Sequence, residues 1–277
     1  MRVTALTLYP VKSLEGVALD ASPLDARGLR GDRRWGLVDA SGGKVTAREV
    51  KGLLGLSASP EEQTGSEGAI RLRDRAGGSI VVAAPREATP IEVDHSGQGT
   101  ARPAGPEVHA WISERVGTGL RLVWQDDASV RPVRRDRGGR AGDTSSLADA
   151  APFLLTTGSS LRQLNGWLAE TGAAPIGHER FRPNIVVDGI EPFTEDRWDE
   201  VRIGDMAFHR TMVCDRCVMT TIDRQTLRTT KEPIRTLSRH RKWDGATWFG
   251  IRLAPDLPLP ADAQLRVGDE VRASGGP

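Results

Sequence analysis

Apolar and polar residues alternate in short runs along the chain, and glycine turns separate most of these runs. Alternation with a period of two, bounded by Gly and Asp, is the pattern of half-buried antiparallel strands. The pattern therefore predicts a chain built mainly from β-hairpins. The predicted hairpins pair Trp35–Val38 with Lys44–Thr46, Ile70–Arg73 with Ile80–Val82, Val201–Ile203 with Met206–Phe208, and the two ends of Leu265–Val271.

Helical periodicity is limited to three segments. A capping-box pattern at Ser160–Gln163 opens a run with an apolar face, and Gly172 marks its end. Glu107–Val116 has a similar apolar face, and a third, short helix is predicted to begin at Pro233. Helices are thus a minor part of the predicted fold.

A region of low periodicity interrupts the pattern near the middle of the chain. Residues 126–150 are rich in Arg, Gly and Ser, and we interpret them as a junction. The predicted architecture is mostly β with minor α, as two packed β-barrel-like domains at residues 1–125 and 126–277. The junction contains five closely spaced arginines, namely Arg131, Arg134, Arg135, Arg137 and Arg140.

The composition excludes several functional classes. The 277 residues include 38 basic and 37 acidic side chains, so no overall field attracts nucleic acid or a membrane surface. The arginine cluster lacks the interleaved aromatics typical of nucleic-acid binding. No apolar run has the length of a signal-peptide core or a membrane span. Two cysteines in a chain of this length indicate a reducing compartment, and we expect a cytoplasmic monomer.

Both cysteines fall in one motif, Cys214-Asp215-Arg216-Cys217. A thioredoxin-like pair is disfavoured because it would open a helix, whereas the β-branched residues that follow predict a strand. A zinc site is disfavoured because the histidines show no ligand spacing. Two interpretations remain. In the first, both cysteines are structural. In the second, Cys217 is the single protein thiolate bound to a metal, its charged form is favoured by the guanidinium of Arg216, and a cofactor supplies the other metal ligands.

Three further motifs place cations next to aromatic or turn residues. Lysine and arginine side chains, with hydroxyl and backbone N–H groups, can hold an anionic group such as phosphate. Each motif alone is more typical of a solvated turn or a surface ion pair. The motifs are Tyr9–Gly16, Gly28–Trp35 and Phe181–Asn184.

Together with Val45–Arg48, and in this order, the motifs resemble those of MOSC-domain proteins with an N-terminal MOSC β-barrel, the family of the amidoxime-reducing components. The similarity spans nearly the whole chain. It implies a molybdenum cofactor. In this cofactor the dithiolene sulfurs of a pyranopterin bind the metal, and the pyranopterin ends in a phosphate. It also implies that the cofactor lies between two β units, and that the residues up to Trp35 join the C-terminal unit.

The resemblance assigns roles to individual residues. Cys217 corresponds to the molybdenum ligand, and Cys214 is expected to be packing. Asp215 replaces a family serine; its carboxylate can accept a cofactor N–H group, relay a proton to the substrate, or be a solvated loop acid. Ala150 replaces a family threonine. The hydroxyl contact is then lost, or a hydroxyl from one of residues 144–146 replaces it. Residues expected to hold the cofactor are Lys12, Ser13, Arg33, Arg48, Arg182, Asn184 and Arg216.

The implied activity is that of a molybdenum-dependent oxidoreductase, which reduces small N-hydroxylated compounds such as amidoximes, hydroxylamines and N-hydroxylated bases. The chain lacks the cluster of cysteines that binds an iron–sulfur centre in the ferredoxin-like domain of some relatives, so electrons are expected from a separate flavin or iron–sulfur protein. An alternative is a non-catalytic carrier of molybdenum cofactor or sulfur, since the same domain type occurs in cofactor sulfurases. No nucleic-acid or membrane partner is expected.

Overall fold

The structure, a computed structural model, describes residues 1–61, 68–125 and 131–275. Within these ranges strands greatly outnumber helices, which confirms the mostly β prediction. None of the described helices is long and apolar enough to cross a membrane. The helices are α1 (Pro106–Val116), α2 (Gly158–Glu170) and α3 (Ile234–His240), and short 3₁₀ turns lie at Lys51–Gly55, Arg135–Arg137, His178–Arg180, Thr194–Arg197 and Val218–Thr221. The strands are β1 (Val3–Leu8), β2 (Val17–Leu19), β3 (Ala21–Asp25), β4 (Gly28–Leu29), β5 (Trp35–Val38), β6 (Lys44–Val45), β7 (Leu56–Pro60), β8 (Ile70–Asp74), β9 (Ser79–Val82), β10 (Ile91–His95), β11 (Gln98–Pro103), β12 (Arg121–Trp124), β13 (Phe153–Thr157), β14 (Ile185–Val187), β15 (Glu200–Ile203), β16 (Met206–Asp215), β17 (Lys242–Trp243), β18 (Ala246–Pro255), β19 (Gln264–Arg266) and β20 (Val271–Ser274).

The largest sheet combines both ends of the chain. Its order is β2-β1-β14-β13-β18-β16-β15-β20, with β17 also paired to β18. β13 and β14 run parallel, and α2 supplies the crossover that parallel neighbours require. β1 pairs antiparallel with β14, with Val3 opposite Val187. The segment that carries Lys12 therefore leaves the same sheet that carries Cys214.

Three smaller sheets complete the described fold. One has the order β10-β11-β12-β5-β6, a second is β7-β8-β9, and a third is β19-β3-β4. Every sheet is an open path of strands in the described ranges, although a single bridge between Gly43 and Asp94 links the β6 end of the first of these sheets to β10. The predicted domain boundary at 125/126 borders residues 126–130, which lie outside the described residues, and it stays a prediction.

Three of the four predicted hairpins are confirmed. β5 pairs with β6, β8 with β9, and β15 with β16, all antiparallel. The fourth prediction, at Leu265–Val271, is wrong, because β19 pairs with β3 and β20 pairs with β15. The turn between β19 and β20 is hydrogen-bonded to the N-terminal strand, since the N–H group of Gly268 donates to the carbonyl oxygen of Val3. Alternation shows that a segment is a strand, but not which strand pairs with it.

All three predicted helices are present, but α2 begins earlier than predicted. It starts at Gly158 because the side-chain oxygen of Thr157 accepts a hydrogen bond from the N–H group of Ser160 and forms the N-cap. The hydroxyl of Ser160, the predicted cap, donates instead to the buried carboxyl group of Glu195 at 2.6 Å. Serine and threonine both suit an N-cap, so the sequence does not choose between them.

The residues after Cys217 pack into the core of the N-terminal region. Val218–Thr221 form one 3₁₀ turn, so the predicted strand is wrong. The hydroxyl groups of Thr220 and Thr221 donate to carbonyl oxygens three residues earlier, which stabilises a turn in place of a strand. Ile222 is 2% exposed and belongs to an apolar cluster whose other buried members all come from the N-terminal half. The loop that carries Cys217 is therefore fixed against that half.

The arginine-rich segment is docked on β16. Gly138 has a φ of +76° and lies so close to the strand that an added Cβ would be 1.8 Å from the carbonyl oxygen of Thr211. Further along, the carboxylate of Asp143 lies 2.9 Å from Nε2 of His209, and Asp256 lies 2.7 Å from the other ring nitrogen. His209 is buried. The segment therefore has a defined position next to the strand that leads to the cysteines.

We expect Gly138→Ala to lower the free energy of unfolding by about 3 kcal/mol or more, because a positive φ and overpacking against Thr211 act together. Gly245→Ala is the matched control, since Gly245 has a φ of +74° and open space around its Cβ position. Only the conformational cost of about 1–2 kcal/mol applies there. Denaturant titration measures both variants, and equal losses would contradict the close approach of Gly138 to β16.

Candidate functional site

One cleft contains every residue that the sequence assigns to the cofactor site. It encloses about 820 Å³ of empty space, including its open mouth. Its walls come from the turns after β1 and β6, the turns before β5 and β14, the segment that leads into β13, the loop after β16, and β18. The predicted residues that line it are Lys12, Ser13, Arg33, Arg48, Arg182, Asn184, Asp215, Arg216 and Cys217.

Two of the cleft arginines share one aromatic ring. The guanidinium carbons of Arg33 and Arg182 lie 4.6 and 4.3 Å from the ring centre of Tyr9, which is buried. Cations over an aromatic face are attracted by its quadrupole, most strongly where water is excluded. Burial lowers the pKa of Arg182 to about 10 and raises the pKa of Tyr9. Nη2 of Arg182 is buried and has no hydrogen-bond partner among the described residues, so the wall offers an unused donor.

A buried carboxylate organises these charges. Asp32 accepts hydrogen bonds from Nη1 of Arg33 at 2.5 Å and from Nδ2 of Asn184 at 3.0 Å. It also accepts one from the backbone N–H group of Tyr9 at 2.9 Å. The amide oxygen of Asn184 in turn accepts from Nη1 of Arg33 at 2.8 Å, and its Nδ2 also donates to the carbonyl oxygen of Thr7. Asn184 thus positions Arg33 and joins β14 to β1.

Three cleft residues have a left-handed backbone. Ser13, Arg33 and Arg182 have φ angles of 76°, 48° and 59°. Residues other than glycine seldom adopt this conformation, and each instance costs about 1–3 kcal/mol. Such strain persists where the surrounding structure holds it, and it concentrates at functional sites. The backbone therefore marks this cleft independently of any motif.

A chain of ion pairs connects Lys12 to Cys217. Nζ of Lys12 donates to Asp149 at 2.5 Å and to the carbonyl oxygen of Leu147 at 2.7 Å. Arg48 lies 3.7 Å from the other carboxylate oxygen of Asp149, and its Nη2 lies 3.6 Å from the sulfur of Cys217. Lys12 holds the pKa of Asp149 well below its usual range, while burial lowers the pKa of Lys12. Asp149 follows no motif, so sequence reasoning missed it.

The two cysteines differ in exposure and in their cationic neighbours. Cys214 is buried, whereas Cys217 is exposed. The ladder between β16 and β18 is irregular around Cys214, and such bulges re-aim side chains next to functional sites. Arg216, expected beside Cys217, instead places Nη1 2.8 Å from the sulfur of Cys214. Arg48 is the cation that contacts Cys217.

Asp215 is ion-paired within the cleft. One of its carboxylate oxygens lies 3.0 Å from Nη2 of Arg252 on β18. Nη1 of Arg252 also contacts the sulfur of Met212 at 3.4 Å. The sequence carried one signal for this residue, which is an arginine between Ile251 and Leu253 in an otherwise apolar strand. Arg252 therefore fixes the Asp215 carboxylate, and about two fifths of that side chain is exposed (39%).

The chain itself offers few metal ligands here. No group of three or more His, Cys, Asp or Glu side chains converges to hold a metal in the parts of the chain that the structure describes. Cys217 is the exposed thiol of the two cysteines. A metal at this sulfur therefore needs most of its ligands from a bound molecule.

Two family models match the chain, one in each half. The MOSC N-terminal beta barrel domain matches residues 1–119, and the MOSC domain matches residues 142–272. Mitochondrial amidoxime-reducing component 1 of Mus musculus is 31% identical over 99% of this chain and 82% of its own length. The chain belongs to the MOSC family.

Two other MOSC relatives differ in how much of them the chain covers. Mitochondrial amidoxime-reducing component 1 of Homo sapiens is 31% identical over 87% of this chain and 72% of its own length. Molybdenum cofactor sulfurase of Solanum lycopersicum is 28% identical over 99% of this chain, but over only 36% of its own length. The chain thus corresponds to most of the first relative and to about a third of the second.

Several residues of the MOSC cleft were not found from the sequence. Ala150 lines the cleft, but residues 144–146, expected to supply a replacement hydroxyl, are not among its described lining residues. Arg180 also lines it, and its Nε donates to the carbonyl oxygen of Thr220 at 2.9 Å, which ties the turn before β14 to the loop of Cys217. The lining residues that sequence reasoning missed include Thr46, Asp149, Arg180, Met219 and Arg252.

We expect Asp32→Ala to lower the free energy of unfolding by about 3–5 kcal/mol, the usual loss when one partner of a buried charged pair is removed. The variant removes the carboxylate acceptor that Arg33 and Asn184 share. Asp136→Ala is the control, because it breaks an exposed ion pair with Arg134 and should leave the unfolding midpoint unchanged. Urea unfolding followed by circular dichroism measures both. A loss for Asp32→Ala as small as that of the control would refute the central role of this carboxylate.

Proposed function

We propose that this MOSC protein is a molybdenum-cofactor-dependent oxidoreductase that reduces N-hydroxylated compounds. The observation that carries the proposal is the exposed sulfur of Cys217 in a cleft lined with cations, 3.6 Å from Nη2 of Arg48. One relative is named for amidoxime reduction and another for the molybdenum cofactor, which supports both parts of the proposal.

The donors in the cleft fit an anionic pterin. Lys12, Arg33 and Arg182 would hold its phosphate end, since charge-assisted bonds to phosphate are among the strongest hydrogen bonds in proteins. Nη2 of Arg182 and Nε of Arg216 are buried donors without a partner in the part of the chain that the structure describes, and such an anion would satisfy them. Cys217 would be the protein ligand of the metal.

The reaction is a two-electron reduction. When bound, the cofactor supplies a two-electron centre for cleavage of the N–O bond. In the net reaction R–NH–OH takes up two electrons and two protons, the N–O bond breaks, and R–NH₂ and water leave. Asp215 would relay a proton, because its partly exposed carboxylate lies in the loop of Cys217 and Arg252 holds it in place. Arg48 would stabilise the thiolate of Cys217.

In this proposal a separate flavin or iron–sulfur protein delivers the electrons, because Cys217 binds the molybdenum and the other cysteine of the chain, Cys214, is buried. The substrate is a small N-hydroxylated molecule. The cytoplasmic location and the monomeric state stay predictions.

We expect Cys217→Ala to lose nearly all molybdenum and all turnover, because the variant removes the only protein thiolate exposed to the cleft. Cys214→Ser is the matched control: its side chain is buried against Arg216, and the variant should keep the metal. Mass spectrometry of the metal, fluorescence of the oxidised pterin and benzamidoxime reduction with an electron donor measure the outcome. Equal molybdenum and equal turnover in wild type and Cys217→Ala would refute the ligand assignment.

A carrier of the molybdenum cofactor is the second candidate function. It is favoured by the sulfurase relative, whose match covers 99% of this chain. Stoichiometric pterin and molybdenum in the purified protein, without reduction of any amidoxime or hydroxylamine by a competent donor, would support the carrier and refute the reductase.

A further inference from the structure

A second cavity opens beside Cys217, and its walls are rich in arginine. It encloses about 1170 Å³ of empty space including its mouth, which is ample for a small ligand. Cys217, Asp215 and Asp149 line both this cavity and the cofactor cleft, so the two meet at the exposed sulfur. Among its described lining residues the only acids are these two aspartates, against five arginines. The arginines are Arg48, Arg131, Arg134, Arg137 and Arg252.

Two of these arginines, both from the arginine-rich segment, already have partners. Arg134 binds both carboxylate oxygens of Asp136, at 2.9 and 2.5 Å, and its side chain is largely exposed. The guanidinium of Arg131 donates to three backbone carbonyl oxygens, which fixes it in the wall, and no carboxylate of the described residues forms an ion pair with it. Arg131 therefore brings a positive charge to the cavity that no ion pair cancels.

Arg137 has the free guanidinium of the cavity. It is half-buried, and within residues 1–61, 68–125 and 131–275 its side chain makes no hydrogen bond and no ion pair. Its charge acts on the nearby Asp136, but that carboxylate is held by Arg134. The following Gly138 rests on Thr211, so the position of Arg137 is fixed by the backbone. A guanidinium that is carried on a fixed backbone in a cavity wall, with no ion pair among the described residues, suits a bidentate contact with a carboxylate or phosphate.

We propose that this cavity binds the substrate, and that Arg137 recognises a carboxylate or phosphate group on an N-hydroxylated compound. The inference rests on the proposed function, because it takes Cys217 as the reaction centre. The N–OH group of the substrate would face the end shared with the cofactor cleft, and the anionic group would face Arg137. The anionic group takes no part in the reaction, and the electron and proton balance of N–O cleavage is unchanged.

Matched pairs of substrates test this specificity. Benzamidoxime and 4-carboxybenzamidoxime differ by one carboxylate, and N4-hydroxycytidine and its 5′-monophosphate differ by one phosphate. For the wild type we expect a higher kcat/KM for the anionic member of at least one pair, through a lower KM. The pair that shows the preference identifies the anion. Arg137→Ala should reduce the anionic-to-neutral ratio about tenfold, the loss expected for one charge-assisted contact. Arg137→Lys should keep part of the preference for the anionic substrate, because lysine retains the positive charge.

Arg135→Ala is the matched control variant. Arg135 lies in the same 3₁₀ turn and carries the same charge, but it is exposed and does not line the cavity. Its removal should leave the ratio unchanged, and added salt should reduce the wild-type preference because ions screen the contact. Equal ratios in Arg137→Ala and wild type, or equal loss in Arg135→Ala, would overturn the assignment.

A binding measurement separates this proposal from the reductase function. Benzamide and 4-carboxybenzamide carry no N–O bond, so calorimetric titration of the molybdenum-loaded protein with each reports binding without turnover. Tighter binding of the acid, lost in Arg137→Ala, supports the anion site even if no amidoxime is reduced, in which case only the reductase function fails. Equal affinities, including no binding of either probe, overturn the anion site. Loss of bound pterin in Arg137→Ala would also overturn it, because Arg137 would then serve the cofactor.

Discussion

The hydrogen bonds around Asp32 determine the geometry of the whole site. One buried carboxylate binds the guanidinium of Arg33, the amide of Asn184 and the backbone N–H group of Tyr9, across up to 152 positions of sequence. Burial raises the pKa of Asp32 and so opposes its charged form, and these three donors counter part of that effect. Because they come from the end of β1, the turn before β5 and the turn before β14, the carboxylate brings together the segments that carry the cations.

A nearly neutral chain thus forms a strongly cationic region. The 38 basic and 37 acidic side chains almost cancel over the molecule, yet arginines dominate the two cavities that meet at Cys217. Their repulsion is reduced by an aromatic ring, by backbone carbonyl oxygens and by Asp149, which acts as an internal counter-ion between Lys12 and Arg48. The charge at a site therefore depends on local arrangement, because salt largely screens exposed charges that lie more than about 10 Å away.

Local patterns in the sequence predicted local structure well. Three hairpins and the three helices follow from alternation and capping signals, which involve neighbouring positions. The nine predicted site residues, which line one cleft, were assigned by the family resemblance. Two errors are local, because Val218–Thr221 form a turn instead of a strand and α2 begins at Gly158. The other errors concern distant partners: β19 and β20 pair with other strands, and Asp149 and Arg252 enter the cleft from segments to which no site role was assigned. Left-handed φ angles at Ser13, Arg33 and Arg182 are equally non-local, because surrounding packing imposes them.

The burial of Ile222 has a consequence for how this chain can change over evolutionary time. Ile222, from the C-terminal half, packs in the core of the N-terminal half. In turn, β1 and β2 from the N-terminal half belong to the large sheet, whose other strands come from the C-terminal half. The two matched family regions are contiguous in sequence but reciprocally interleaved in space. Neither half is a self-sufficient module, so recombination between relatives that exchanged only one of them would break both cores and displace the loop of Cys217.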